Sequence, residues 1–153
     1  MGYTHYFTFK KAPKGQAAKV EKLYQLAIKD CQKIIRKYSK EFGGLSGYSA
    51  HSTKYSGINF NGSERMGSCE DFVLREHYNE NDLNNFCKTG QYDYDKVVVA
   101  CLIALKNRLG ELISIGSDGF EHEWSAGLLM ARVYLRKQKL FKPIGLRRME
   151  RAS

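Results

Sequence analysis

The sequence predicts an α+β domain with a ferredoxin-like β-α-β-β-α-β-α order, in which one antiparallel sheet carries helices on one face. Residues 3–10 alternate apolar and polar side chains, which is the two-residue period of a half-buried strand. Apolar residues recur at helical spacing over about 16–41, and residues 97–105 are apolar nearly all round, which is typical of a buried helix. Strand and helix patterns alternate along the rest of the chain, which favours a sheet covered by helices.

Turn-forming residues separate the predicted elements. Pro13 and Gly15 end the first strand, and Gly110 is placed to end a helix for which Asp95 is the predicted cap. Ser117-Asp118-Gly119 leads into a third helix, either as an ordinary cap or as an anion-binding helix start. The predicted order is a strand at 3–10, a helix at 16–41, a loop at 43–57, strands at 57–61 and 71–77, polar turns at 79–93, a helix at 95–109, a strand at 112–115 and a helix up to residue 135.

Length and cysteine spacing limit the class of protein. The 153 residues suit one domain, predicted over residues 1–135, with a basic C-terminal tail over 136–153. No apolar run approaches the roughly 20 residues needed to cross a bilayer, and the N-terminus does not resemble a signal peptide. We therefore expect a cytoplasmic protein without a membrane partner. The four cysteines form no Cys-x-x-Cys pair, which argues against a zinc ribbon, and neither a metal nor a cofactor is predicted.

Charge is distributed unevenly along the chain. The formal net charge is +9, but residues 1–41 carry ten Lys and Arg against three Asp and Glu, and residues 132–153 carry eight against one. Residues 64–95 carry three against eight. This pattern does not describe a uniformly basic cradle for nucleic acid. It favours a site away from the positive charge, among the strands and glycine-rich loops of residues 43–95.

Several polar residues have the chemistry to contact a phosphorylated ligand. His51-Ser52-Thr53 matches one half of the His-x-Thr pair of two-histidine phosphoesterases, whose second half is missing here. Lys88-Thr89-Gly90 offers a charge and a hydroxyl, although a simple surface turn explains it equally well. A histidine within a strand is more often a core residue than a catalytic one. The predicted set is His5 as a catalytic candidate, with Tyr6, His51, Thr53, Asn61, Lys88 and Thr89 as ligand contacts.

Glu76 is the main candidate for a catalytic acid or base. On a strand over 71–77, Glu76 points to the same side as Phe72 and Leu74, because side chains alternate between the two faces. Burial there would raise the pKa of its carboxyl group and favour proton transfer. The alternative is an ion pair with Arg75 or with a lysine of the first helix.

The opening Met1-Gly2-Tyr3-Thr4-His5-Tyr6 resembles a group of small phage and prophage proteins that begin in the same way. Those proteins carry stretches similar to residues 44–51, 74–77 and 86–89, so the resemblance covers most of the chain up to the third helix. It implies a phage setting, and a host-cell cytoplasmic location, without implying an activity.

Three functions are compatible with these patterns. The first is a counter-defence protein that sequesters or cleaves a nucleotide immune signal, such as a cyclic oligonucleotide or an ADP-ribose derivative. The second is a small-molecule lyase or hydrolase using Glu76, similar to the phage S-adenosylmethionine lyases. The third is a nucleic-acid-binding accessory protein acting through the first helix and the tail. Exposed sheet edges also favour a homo-oligomer.

Overall fold

The computed structural model describes residues 2–51, 56–81 and 85–149, and within these ranges the chain is an α+β protein. The strands are β1 (Thr4–Phe9), β2 (Leu45–Ser46), β3 (Ile58–Gly62), β4 (Phe72–Leu74), β5 (Asn85–Lys88) and β6 (Ile113–Ser117). The helices are α1 (Ala17–Glu41), α2 (Tyr48–His51), α3 (Asp95–Leu109) and α4 (Ser125–Tyr134), with 3-10 turns at Gly110–Leu112 and Glu121–Trp124.

The described strands form two small antiparallel sheets and not the single sheet that the sequence predicts. One sheet has the order β5-β1-β6 and the other the order β2-β3-β4, and the ferredoxin-like order is not confirmed. The edge of β5 that faces residue 70 is already hydrogen bonded. Glu70 N–H donates to the Lys88 carbonyl over 2.9 Å, and the Glu70 carboxylate accepts from Lys88 N–H over 2.7 Å. Glu70 therefore occupies the hydrogen-bonding edge of β5, and none of the described strands of the second sheet pairs there.

Two short segments also differ from the prediction. The predicted loop at 43–57 contains β2 and the single helical turn α2, and the predicted polar turns at 79–93 contain β5. Both strands are too short for a two-residue period to be recognisable in the sequence. Their backbone hydrogen bonds with β3 and β1 stabilise them instead.

Helix α3 forms the centre of the core, as its apolar run predicts. Its residues from Val97 to Leu105 are all buried, and α1 packs along one side of it and α4 along another. Gly110 ends the helix with a φ of 56°, a left-handed conformation that favours glycine. Gly127 allows α4 to approach closely, because a Cβ atom there would lie 2.3 Å from Cγ1 of Val99.

The segment after α4 packs back onto the domain. Leu140 is buried, and its carbonyl accepts hydrogen bonds from the Arg132 guanidinium. Arg147 forms a parallel bridge with Phe120. The division at residue 135 stays a prediction. None of the helices in the described ranges has the length and apolar character needed to cross a membrane.

Candidate functional site

His5 lies at the centre of a buried hydrogen-bonded chain. It is fully buried on the inner face of β1, directly opposite Ser117 of β6. Its Nδ1 lies 2.8 Å from Ser117 Oγ, and its Nε2 lies 2.6 Å from Oδ1 of Asp95. The buried Thr89 hydroxyl donates to the same Asp95 oxygen over 2.6 Å. We call Ser117, His5, Asp95 and Thr89 the His5 chain.

The donors around this chain determine where its protons lie. The Asp95 carboxylate is an acceptor, so the N–H at His5 Nε2 is its donor, and in the tautomer with that single proton Nδ1 is an acceptor. Ser117 Oγ accepts from Gly119 N–H over 2.9 Å and from Trp124 Nε1–H over 3.3 Å. The serine proton is therefore directed at Nδ1. Asp95 is the first residue of α3 and makes no capping bond, so its predicted role as a cap is wrong.

Tyr3 packs edge-on against His5, with ring centroids 5.3 Å apart. Its hydroxyl is buried and makes no hydrogen bond of ordinary geometry within the described part of the chain. Burial, and next the charge of Asp95, raise the pKa of Tyr3 well above its usual value, while the nearby Gln91 amide opposes the shift. The hydroxyl therefore stays protonated as an unused donor.

Gly119 makes room for this hydroxyl. The Tyr3 oxygen and Ser117 Oγ both lie within 3.2 Å of the position that a Cβ on Gly119 would occupy. The Ser117-Asp118-Gly119 turn thus brings the serine and the unused tyrosine hydroxyl to one place. The sequence signals the turn but gives no sign of its contact with Tyr3 and His5.

The structure brings together only part of the predicted site. His5 and Thr89 meet at Asp95, as described. Tyr6 and Lys88 belong to the same sheet but are exposed, Tyr6 on the face opposite His5, where it is 46% exposed beside Phe86. These two residues do not contact the His5 chain.

Of the remaining predicted ligand contacts, His51 lies in α2 and Asn61 in β3 of the second sheet. His51 is exposed at the end of α2. The Asn61 amide donates to the Cys69 carbonyl over 3.0 Å and to the Asp71 carboxylate over 2.9 Å, so it holds a turn together. Thr53 lies outside the described residues.

The expectation that Glu76 is buried is wrong. β4 ends at Leu74, and the Glu76 side chain is 59% exposed and 3.9 Å from His77. The strand ends here because the next two backbone carbonyls accept hydrogen bonds from α1. Tyr24 O–H donates to the Arg75 carbonyl, and the Gln25 amide donates to the Glu76 carbonyl. A role for Glu76 as an acid or base stays a prediction without burial to support it.

No family model, curated protein or solved structure matches this chain. The candidate sites are therefore assigned from their own geometry. The described residues also contain no group of three or more His, Cys, Asp or Glu side chains placed to hold a metal ion.

A cleft of about 570 Å³ lies between α1, the C-terminal end of α3 and the residues after α4. We call it the basic cleft. Cationic side chains dominate its wall, from Lys33, Lys37, Arg108, Arg136 and Lys137. From the uneven charge distribution, the sequence favoured a site away from the positive charge. The basic cleft was not predicted, because α1 and residues 136–137 are about a hundred positions apart and meet only in the folded chain.

One carboxylate lines the basic cleft, and it is already paired. Asp30 is buried, and it accepts from Arg108 Nε over 2.7 Å and from the Gln138 amide over 3.1 Å. Lys33 and Lys37 are exposed one turn apart on α1, and none of the cleft's four other cations forms an ion pair with a described residue. The cleft therefore carries a net positive charge.

Proposed function

We propose that the protein binds a small phosphorylated nucleotide ligand, with the phosphates in the basic cleft. One observation carries the proposal: five cationic side chains line one cleft whose single carboxylate is neutralised by Arg108. Ammonium and guanidinium groups are the side chains that bind phosphate oxygens most strongly. The His5 chain, with its carboxylate, does not offer this electrostatic environment.

The size and lining of the cleft suit a small ligand. Its volume falls within the roughly 300–1,000 Å³ that is usual for small-molecule sites. Tyr134 supplies an aromatic wall, and Lys37 Nζ lies 6.0 Å from the centre of that ring. Burial, followed by the hydrogen bond to Glu41, raises the pKa of Tyr134 to about 12, so its hydroxyl is protonated at neutral pH.

Among phosphorylated ligands we propose a nucleotide immune signal, such as a cyclic oligonucleotide or an ADP-ribose derivative. The protein would sequester or cleave it as a counter-defence in the host cytoplasm. The resemblance of the N-terminus and of residues 86–89 to phage proteins supports this part of the proposal.

Isothermal titration calorimetry with cyclic dinucleotides, ADP-ribose and S-adenosylmethionine tests the proposal. We expect phosphorylated ligands to bind and the double variant Lys33→Glu/Lys37→Glu to weaken their affinity by about tenfold or more, roughly 1.4 kcal/mol. The control is Lys19→Glu/Lys22→Glu, which makes the same charge change on exposed residues nearer the start of α1. Equal weakening by both variants would show a general charge effect and contradict the assignment to the cleft.

The same cations favour nucleic acid as a second candidate. A duplex or single strand would release counterions on binding, so its affinity would fall steeply with salt. Titration of DNA and RNA oligomers at several salt concentrations separates the two functions. An affinity that increases with oligomer length, together with binding that mononucleotides do not compete away, would favour nucleic acid. Preferential binding of S-adenosylmethionine would instead favour the lyase alternative.

A further inference from the structure

The His5 chain has no role in phosphate binding, yet it links a serine, a histidine and a carboxylate in one hydrogen-bonded line. We propose that Ser117 is the nucleophile of a separate catalytic site that hydrolyses uncharged or cationic carboxylic esters, with His5 as general base. This inference is independent of the basic cleft. It rests on the 2.8 Å and 2.6 Å contacts of His5 and on the unused Tyr3 hydroxyl.

The proton arrangement is the one that nucleophilic catalysis needs. Serine is a weak nucleophile unless a base takes its proton, and the acceptor nitrogen of His5 faces Ser117 Oγ. The opposite nitrogen donates to Asp95, whose charge stabilises the imidazolium that forms when His5 accepts the proton. Thr89 O–H donates to Asp95 Oδ1 and holds the carboxylate in place. Asp95 and Thr89 are thus positioning residues.

Tyr3 supplies the group that would stabilise negative charge on the ester oxygen. Its hydroxyl is buried, and its O–H has no acceptor among the described residues, since the Gln91 amide acts on it as a donor. An unpaired buried donor costs free energy, and a developing oxyanion next to Ser117 would satisfy it. Ser117 itself is half-buried, unlike the fully buried His5.

The charges around Ser117 select the substrate class. Three carboxylates lie around the turn that contains it. Asp95 contacts His5, Asp118 accepts from Thr4 N–H over 3.0 Å, and Glu123 accepts from Phe120 N–H over 2.9 Å. One cation, Arg147, is held at the turn by donating to the Asp118 carbonyl. Three carboxylates repel an anionic substrate, so phosphate esters are disfavoured here and neutral or cationic esters are favoured.

The reaction follows from these positions. Ser117 Oγ attacks the ester carbonyl carbon as its proton passes to His5 Nδ1, and the carbonyl electron pair moves onto the oxygen near Tyr3. The tetrahedral intermediate collapses, the bond to the alkoxy oxygen breaks, and the alcohol leaves with the proton from His5. Water then attacks the acyl-serine with His5 again as base, which releases a carboxylic acid and regenerates Ser117.

Covalent labelling of the full chain tests the proposal. A fluorophosphonate reacts with an activated serine by forming a P–O bond and losing fluoride. We expect intact-mass spectrometry to show one adduct, peptide mapping to place it on Ser117, and the protein to hydrolyse p-nitrophenyl acetate. Ser117→Ala should lose both the label and the hydrolysis. The matched control Ser114→Ala, an exposed serine on the same strand, should retain both.

Asp95→Asn tests the positioning role, with labelling slowed by roughly 10²-fold or more and its pH profile altered. Circular dichroism establishes that each variant is folded. A folded wild type that forms no adduct on Ser117 would overturn the proposal, as would an adduct that persists in folded Ser117→Ala. Labelling is measured without a phosphorylated ligand, so failure of the basic cleft and failure of this site are distinguishable.

Discussion

Gly119 shows how one missing side chain shapes the His5 chain. A Cβ atom there would lie 2.1 Å from the Tyr3 oxygen and 3.2 Å from Ser117 Oγ. The first distance is too short for any contact, so Tyr3 would have to move. Because Tyr3 packs on His5, that movement would be passed on to the imidazole.

We expect Gly119→Ala to lower the free energy of unfolding by about 1–3 kcal/mol, the usual effect of overpacking. Urea denaturation measures it. Gly116→Ala is the control, because a Cβ there meets only the Tyr6 side chain at 3.9 Å. Tyr3→Phe combined with Gly119→Ala should recover part of the loss. If the two single glycine variants were equally stable, the described contact with Tyr3 would be wrong.

The pair formed by the exposed His77 and the half-buried Glu21 leads to a prediction about pH. The hydrogen bond to Glu21 raises the pKa of His77, with Nδ1 2.8 Å from the Glu21 carboxylate. Burial acts to raise the pKa of Glu21, but hydrogen bonds from His77, Gln25 and Tyr78 N–H lower it overall. The His77 contribution to stability is complete below its unfolded value near 6.5 and is lost as the pH rises through the raised pKa. The Glu21 contribution is present above about 4.5 and is lost as the pH falls through the lowered pKa.

The pair should therefore stabilise the fold most between about pH 4.5 and 6.5. Titration of the His77 ring by NMR checks this, and Glu21→Gln should lower the pKa of His77 towards 6.5. Glu64→Gln removes the same charge from an exposed position and should leave the His77 titration unchanged. The assignment fails if the two variants shift His77 equally.

At the scale of elements, long periodic segments were predictable and short ones were not. α1 carries several turns of apolar periodicity, α3 carries a long continuous apolar run, and Gly110 ends α3 as predicted. β4 was predicted too long because Arg75 and Glu76 continue the alternation of side chains. In the structure, side chains of α1 form hydrogen bonds with the carbonyls of these two residues, so the strand does not continue. No local pattern contains that information.

Asp30 joins three elements, because it belongs to α1 and bonds Arg108 of α3 and Gln138 after α4. Asp30→Asn should lower the free energy of unfolding by about 1–3 kcal/mol, since bonds to a charged acceptor are replaced by weaker ones. The same change frees the Arg108 charge in the basic cleft. We therefore expect tighter nucleotide binding in a less stable protein, measured by calorimetry and urea denaturation. Weaker binding with unchanged stability would contradict the assignment.

At the scale of the whole molecule, α3 separates the two candidate sites. Asp95 of the His5 chain is its first residue and Arg108 of the basic cleft lies in its last turn, so the two are about 20 Å apart along the helix axis. A ligand whose phosphates occupy the cleft would need to span that distance to reach Ser117. The sequence showed that the chain is acidic in its middle and basic near both termini. It did not show that the His5 chain and the basic cleft lie at opposite ends of one buried helix.

Trp124 is the single tryptophan of the chain, and it packs edge-on against His5 with ring centroids 5.2 Å apart. Its indole emission is therefore an intrinsic spectroscopic reporter of the His5 chain. Residues 5 and 117 lie 112 positions apart, so the environment of the indole becomes native only when β1 and β6 have paired. During refolding, tryptophan fluorescence would time the assembly of this centre. In a ligand titration, it would respond to molecules arriving beside Ser117 and give little signal for those held at the far end of α3.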